Sequence, residues 1–97
     1  MLIAVDNQIP YAAVQMIEAR GFHVVVRAKD QADKVWFEKG VELGAEVFVS
    51  PDRDIFHLCC KHGKKWLKLK QGLRGIEVAH FVTKRLYEIK AERGNVA

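Results

Sequence analysis

Apolar and polar positions along this chain follow two periods, and the period switches from each segment to the next. Leu2 to Val5 is a short apolar run that ends on Asp6. Pro10 suits the first turn of a helix, and Ala13, Val14 and Ile17 then recur at helical spacing over Tyr11 to Arg20, with Gly21 as the stop. Phe22 to Val26 is rich in β-branched residues and predicts a second strand. Residues 32–43 read as a second helix with Val35, Trp36 and Leu43 among its apolar positions, closed by Gly44. Glu46 to Val49 is a third strand whose apolar core implies cover on both faces, and Ser50-Pro51 ends it. A short helix over Ile55 to about His62 stops at Gly63, and Lys64 to Lys70 alternates as an edge strand flanked by lysine. After the loop Gln71 to Gly75, the last helix runs from Ile76 to about Arg93 with Ile76, Ala79, Val82, Leu86 and Ile89 on one face, and Gly94 to Ala97 should fray.

The order βαβαβαβα implies an α/β fold: a three-layer α/β/α sandwich around a four-stranded parallel sheet. Asp6 closes the first strand, and Asp52 and Asp54 follow the third, so three acids gather at the carboxyl edge, where open α/β sheets hold their ligands. For Asp6 and Asp52 to share a metal, strands one and three must be neighbours. That selects the sheet order 2-1-3-4; an order of 3-2-1-4 would put strand two between them.

The 97 residues make one domain, spanning 1–97, with a single core. Near-half apolar content excludes a disordered chain, and no run approaches the roughly 20 apolar residues of a membrane span. The start, MLIAVDNQIP, lacks the basic beginning and long apolar stretch of a signal peptide, so a cytoplasmic location is expected. Adjacent Cys59 and Cys60 do not make a disulfide framework and agree with a reducing compartment. Charge is divided unevenly. Residues 1–60 hold six Lys/Arg against nine Asp/Glu, a net −3, whereas residues 61–97 hold ten against three, a net +7. Lys61, Lys64, Lys65, Lys68, Lys70 and Arg74 therefore form a candidate surface for a polyanion.

The series Val5-Asp6-Asn7-Gln8-Ile9-Pro10, then Arg20-Gly21-Phe22-His23-Val24-Val25, then Val47 to Ile55 as VFVSPDRDI, resembles the small PIN-like proteins of the PIN nuclease superfamily, many of them encoded in toxin-antitoxin modules. The likeness covers about the first 56 residues; the remainder matches in element order alone. It implies a PIN-like fold and metal-binding roles for Asp6, Asp52 and Asp54, with Asp33 at the start of the second helix as a fourth catalytic acid. Ser50 stands where the family has Thr or Ser, and with Asn7 it would support the acids. Asn7 replaces the family's usual second acid, Gln8 the Asn that follows it, and Ile55 the aromatic after the last Asp. The function implied is a metal-dependent ribonuclease, a toxin held by an antitoxin or other protein partner. The alternative is the same fold with an impaired site, binding nucleic acid or protein through the basic half.

Phosphodiester hydrolysis needs an activated water and neutralisation of a developing anion, and Mg²⁺ or Mn²⁺ held by carboxylates supplies both. Crowded acids repel one another when ionised, so without cation some should stay protonated. Structural readings compete for the same residues. Asp52 or Asp54 suits the cap of the following helix, Asp6 a turn with Asn7, and Asp33 a helix start. His57, Cys60 and His62 lack a second ligand pair at zinc spacing, and Trp66 fits core packing better than base stacking. A receiver-like signalling domain fits the Asp52-Arg53-Asp54 doublet poorly. The apolar face of the last helix also offers a surface for a homodimer.

Overall fold

Four strands and four helices alternate in a computed structural model that describes residues 1–94. They are β1 (Leu2–Val5), α1 (Tyr11–Ala19), β2 (His23–Arg27), α2 (Asp33–Glu42), β3 (Val47–Ser50), α3 (Arg53–His62), β4 (Lys65–Lys68) and α4 (Ile76–Gly94). The expected fraying of the C-terminus concerns residues 95–97, which lie outside those described, and Gly94 is the last residue of α4. The sheet is parallel throughout, in the order β2-β1-β3-β4. Strands one and three are thus neighbours, with Ile3, Ala4 and Val5 opposite Val47, Phe48 and Val49.

Alternation along the strands divides the interior in two. Ile3, Val5, Val47, Val49 and Leu67 face α1 and α4, where they meet Val14, Ile17, Val82, Leu86 and Ile89. Ala4 and Phe48 face α2 and α3, where they meet Trp36, Phe37, Ile55 and Cys59. Every residue of β3 is buried, as its continuous apolar run requires. Burial pushes the Cys59 thiol up to about 12, with its neighbour Cys60 adding to the rise, so Cys59 behaves as a core residue.

Several boundaries differ from the sequence expectation for local reasons. β2 begins one residue later and takes in Arg27, which pairs with Val5. α3 begins at Arg53, because the Asp52 side chain accepts the Asp54 N–H and caps the helix there. Ser50 belongs to β3, and its carbonyl accepts from the Leu69 N–H (3.1 Å), just past the end of β4. On α2 the buried positions are Trp36, Phe37 and Gly40, while Val35 and Leu43 are exposed. Gly40 sits against the Phe48 ring, where any side chain would collide. On α4, Ala79, Val82, Leu86 and Ile89 are buried as expected, but Ile76 at the first turn is exposed. No helix among the described residues is long and apolar enough to cross a membrane.

Candidate metal centre

The carboxyl edge of the sheet collects its acids from one strand end and two helix starts. Asp33 opens α2, Asp52 caps α3, and Asp54 lies in the first turn of α3. One carboxylate oxygen from each lies within 4.8 Å of the others. Asp33 and Asp52 are half-buried and Asp54 is exposed. Among the described residues this is the only group of three or more His, Cys, Asp or Glu side chains with such an approach, so His57, Cys60 and His62 do not assemble.

Asp6 is placed differently. It is 6 % exposed, follows β1 directly, and is anchored by its N–H to the Val49 carbonyl (2.9 Å). Its Oδ1 accepts from the Gln8 N–H (3.1 Å), and its Oδ2 accepts from the Ser50 hydroxyl (2.8 Å). Asp6 thus closes the expected turn over Asn7, with Gln8 supplying the N–H, and Asn7 is exposed. The Ser50 hydroxyl in turn accepts from the Asp52 N–H (3.0 Å). Ser50 therefore ties the end of β1 to the start of α3. Asp6 and Asp52, expected to share one ion, are linked through this hydroxyl, and Asp6 stands outside the group of three.

Burial dominates the shift at Asp33 and hydrogen bonding the shift at Asp52. Burial is the main force pushing the Asp33 carboxyl up, and the hydrogen bond with Asp52 and the negative charges of Asp52 and Asp6 reinforce it. The Trp36 indole N–H, donated to Asp33 Oδ1 (3.3 Å), opposes that rise. The Asp52 carboxyl is held below its ordinary range, first by the Asp54 N–H (2.9 Å) and then by the hydrogen bond with Asp33, while desolvation works the other way. The two half-buried acids are therefore shifted in opposite directions, Asp33 up and Asp52 down.

The basic side chains are spread along β4 and its flanks: Lys65 is level with Val47 at the start of β3, and Lys68 is level with Ser50 at the acid edge. Lys65 and Lys68 are exposed on the edge strand β4, Lys61 is exposed near the end of α3, and Lys70 and Arg74 are exposed in the segment leading to α4. Lys64 is half-buried. None of the six has an ion-pair partner among the described residues. Trp66 serves structure: its indole N–H donates to the Ser50 carbonyl (3.0 Å) and its ring packs on Phe56 at 4.9 Å.

Two contributors escaped sequence reasoning. Trp36 reads as core, yet its N–H holds Asp33 in place. Arg27 ends β2 level with Val5; its Nη2 donates to the Ile9 carbonyl (3.4 Å), its guanidinium lies 5.7 Å from the Tyr11 ring centre, and its buried Nε has no protein acceptor. A charged residue closing an apolar strand was the available signal, the same one that marks Asp6. Comparison with protein-family models, curated proteins and solved structures finds no match to this chain.

Proposed function

We propose that this protein is a divalent-metal-dependent nuclease acting on RNA, in the manner its resemblance to PIN-like proteins implies. The observation that carries the reading is the approach of Asp33, Asp52 and Asp54 to within 4.8 Å, on the ligand-binding edge of a parallel α/β sheet. The donor set fits a hard cation, since it is all oxygen with no sulfur or imidazole. Two oxygens on one Mg²⁺ or Mn²⁺ stand at most about 4.2 Å apart, so the three carboxylates would draw in slightly around a bound ion. A cation held there would supply Lewis-acid stabilisation of the phosphoryl oxygens and a more acidic bound water.

The chain's own residues divide the work. Asp52 and Asp54 present carboxylates from a capped helix start, and Asp33 would complete the oxygen ligands from the start of α2. Asp6 acts as a positioning residue: it orients Ser50, which fixes the Asp52 backbone, and its charge adds to the negative potential at the site. Lys65 and Lys68 on β4, with Lys61, Lys70 and Arg74, hold the polyanionic strand alongside.

The test uses Asp52→Asn, because Asn caps a helix about as well as Asp and leaves α3 in place. Wild type should cleave single-stranded RNA in Mn²⁺ and lose activity on chelation, and the variant should fall by at least about 100-fold while its circular dichroism remains that of the folded wild type. Full activity in Asp52→Asn would remove the cluster from the mechanism. A second reading, a binding module of the same fold, is favoured by one feature: both oxygens of Asp6 and one of Asp52 already accept hydrogen bonds. RNA binding with no cleavage by wild type in Mn²⁺ selects that reading.

A further inference from the structure

The two edge strands of the sheet end in cations at the carboxyl edge, and the two central strands end beside the acids. In the order β2-β1-β3-β4, Arg27 is the last residue of β2 and lies level with Val5, which precedes Asp6. Lys68 is the last residue of β4 and lies level with Ser50, whose hydroxyl accepts the Asp52 N–H. Three strand spacings, about 14 Å, separate β2 from β4. Lys68 shares with Trp66 the side of the sheet that faces α2 and α3, whereas Arg27 reaches the start of α1. A line between the two cations therefore crosses the edge diagonally, past the acids.

Arg27 is held in place without being neutralised. Its Nη2 reaches the Ile9 carbonyl at 3.4 Å, on the turn that the Ile9 N–H closes onto the Asp6 carbonyl. Its Nε is buried with no protein acceptor, and no carboxylate pairs with it among the described residues. Asp6, at the end of the adjacent strand, gives its oxygens to the Gln8 N–H and the Ser50 hydroxyl instead. A half-buried guanidinium with one long hydrogen bond is desolvated and undercompensated, and an anionic oxygen corrects that. Tyr11 opens α1 beside it, with the guanidinium 5.7 Å from the ring centre. At 61 % exposure the ring keeps open surface.

We infer that Arg27 and Tyr11 hold the RNA strand on the far side of the acids from β4, the guanidinium on a backbone phosphate and the Tyr11 ring against an unpaired base. The inference takes its ligand from the proposed function and rests on that reading. An oriented cation next to an open aromatic ring matches single-stranded nucleic acid, in which each nucleotide brings one phosphate and one base face free to stack. Duplex RNA keeps its base faces within its own stack, so it would engage Arg27 and leave Tyr11 idle. The pair therefore selects single strands over duplexes.

The experiment is fluorescence anisotropy of a labelled single-stranded RNA, and of the same sequence as a duplex, across a salt series in chelator so that no strand is cut. Tyr11→Ala changes an exposed side chain, and it should weaken single-strand binding about tenfold while leaving the salt slope and duplex binding unchanged. Arg27→Gln, with its circular dichroism checked against wild type, should reduce the steepness of log K against log salt by about 0.7. The proposal is overturned by no saturable binding of the single strand to wild type, by wild-type affinity in Tyr11→Ala, by an equal loss on the duplex, or by an unchanged slope in folded Arg27→Gln. Wild-type affinity in Tyr11→Ala alongside Mn²⁺-dependent cleavage by wild type would sink this inference alone. The expected losses without any cleavage in Mn²⁺ would uphold it and sink the nuclease reading.

Discussion

Asp33 is the residue at which folding and function pull in opposite directions. Its carboxyl is raised by burial and by sharing a hydrogen bond with Asp52, so folding favours its protonated form more than the unfolded chain does. A raised folded value means that its contribution to stability is complete below the ordinary 3.8 and is lost as pH climbs through the raised value. Asp52 has the opposite sign: its contribution is present above 3.8 and is lost as pH falls through its lowered value. In chelator, Asp33→Asn should therefore abolish the loss on the alkaline side while keeping the Trp36 hydrogen bond, and melting curves against pH check this. Adding Mn²⁺ to wild type should reverse the trend, with stabilisation growing as Asp33 ionises. An Asp33→Asn protein that still gains stability from Mn²⁺ would show that Asp33 is no ligand.

Among the elements, the packing of α2 on β3 decides where Asp33 sits. Gly40 lets α2 approach the sheet: a Cβ there would lie 2.6 Å from Phe48 Cε1 and 3.1 Å from the Ala4 Cβ. The Phe48 ring has nowhere to go, since it is fully buried against Phe37 at 4.4 Å and Trp36 at 6.2 Å. Gly40→Ala would gain about 1 kcal/mol in helix propensity, whereas overpacking costs about 1–3 kcal/mol. Overpacking should win, lowering the melting temperature by about 4–8 °C. The shift of α2 would also carry Asp33 away from Asp52, so Mn²⁺ affinity should fall in parallel. A rise in melting temperature would mean that α2 is free to slide.

Across the whole molecule the two kinds of charge occupy different parts of one frame. The acids crown β1, α2 and α3, and the lysines follow β4 and the segments beside it. A strand of RNA lying along β4 would reach the acids with its backbone already neutralised. Each phosphate of a single strand that a cationic side chain neutralises adds about 0.7 to the steepness of log K against log salt. Lys65→Gln with Lys68→Gln should therefore reduce that slope by about 1.4, measured by fluorescence anisotropy across a salt series. An unchanged slope would take β4 out of the binding surface.

The chain's order of periods was enough to determine the α/β/α frame, because each run can bury its apolar side in one way only: strands between layers, helices outside them. The requirement that Asp6 and Asp52 lie on adjacent strands also pointed to the order 2-1-3-4, and β1 does pair with β3. Acids at the strand ends were readable for the same local reason. Their partners were not, since a hydrogen bond between residues far apart in sequence depends on where two elements come to rest. Packing of α2 through Phe37 and Gly40 brought Asp33 to Asp52, and the Ser50 hydroxyl drew Asp6 into a buried link. Residue types fixed what chemistry was available at the edge; the docking of helices on the sheet decided which oxygens remain to perform it.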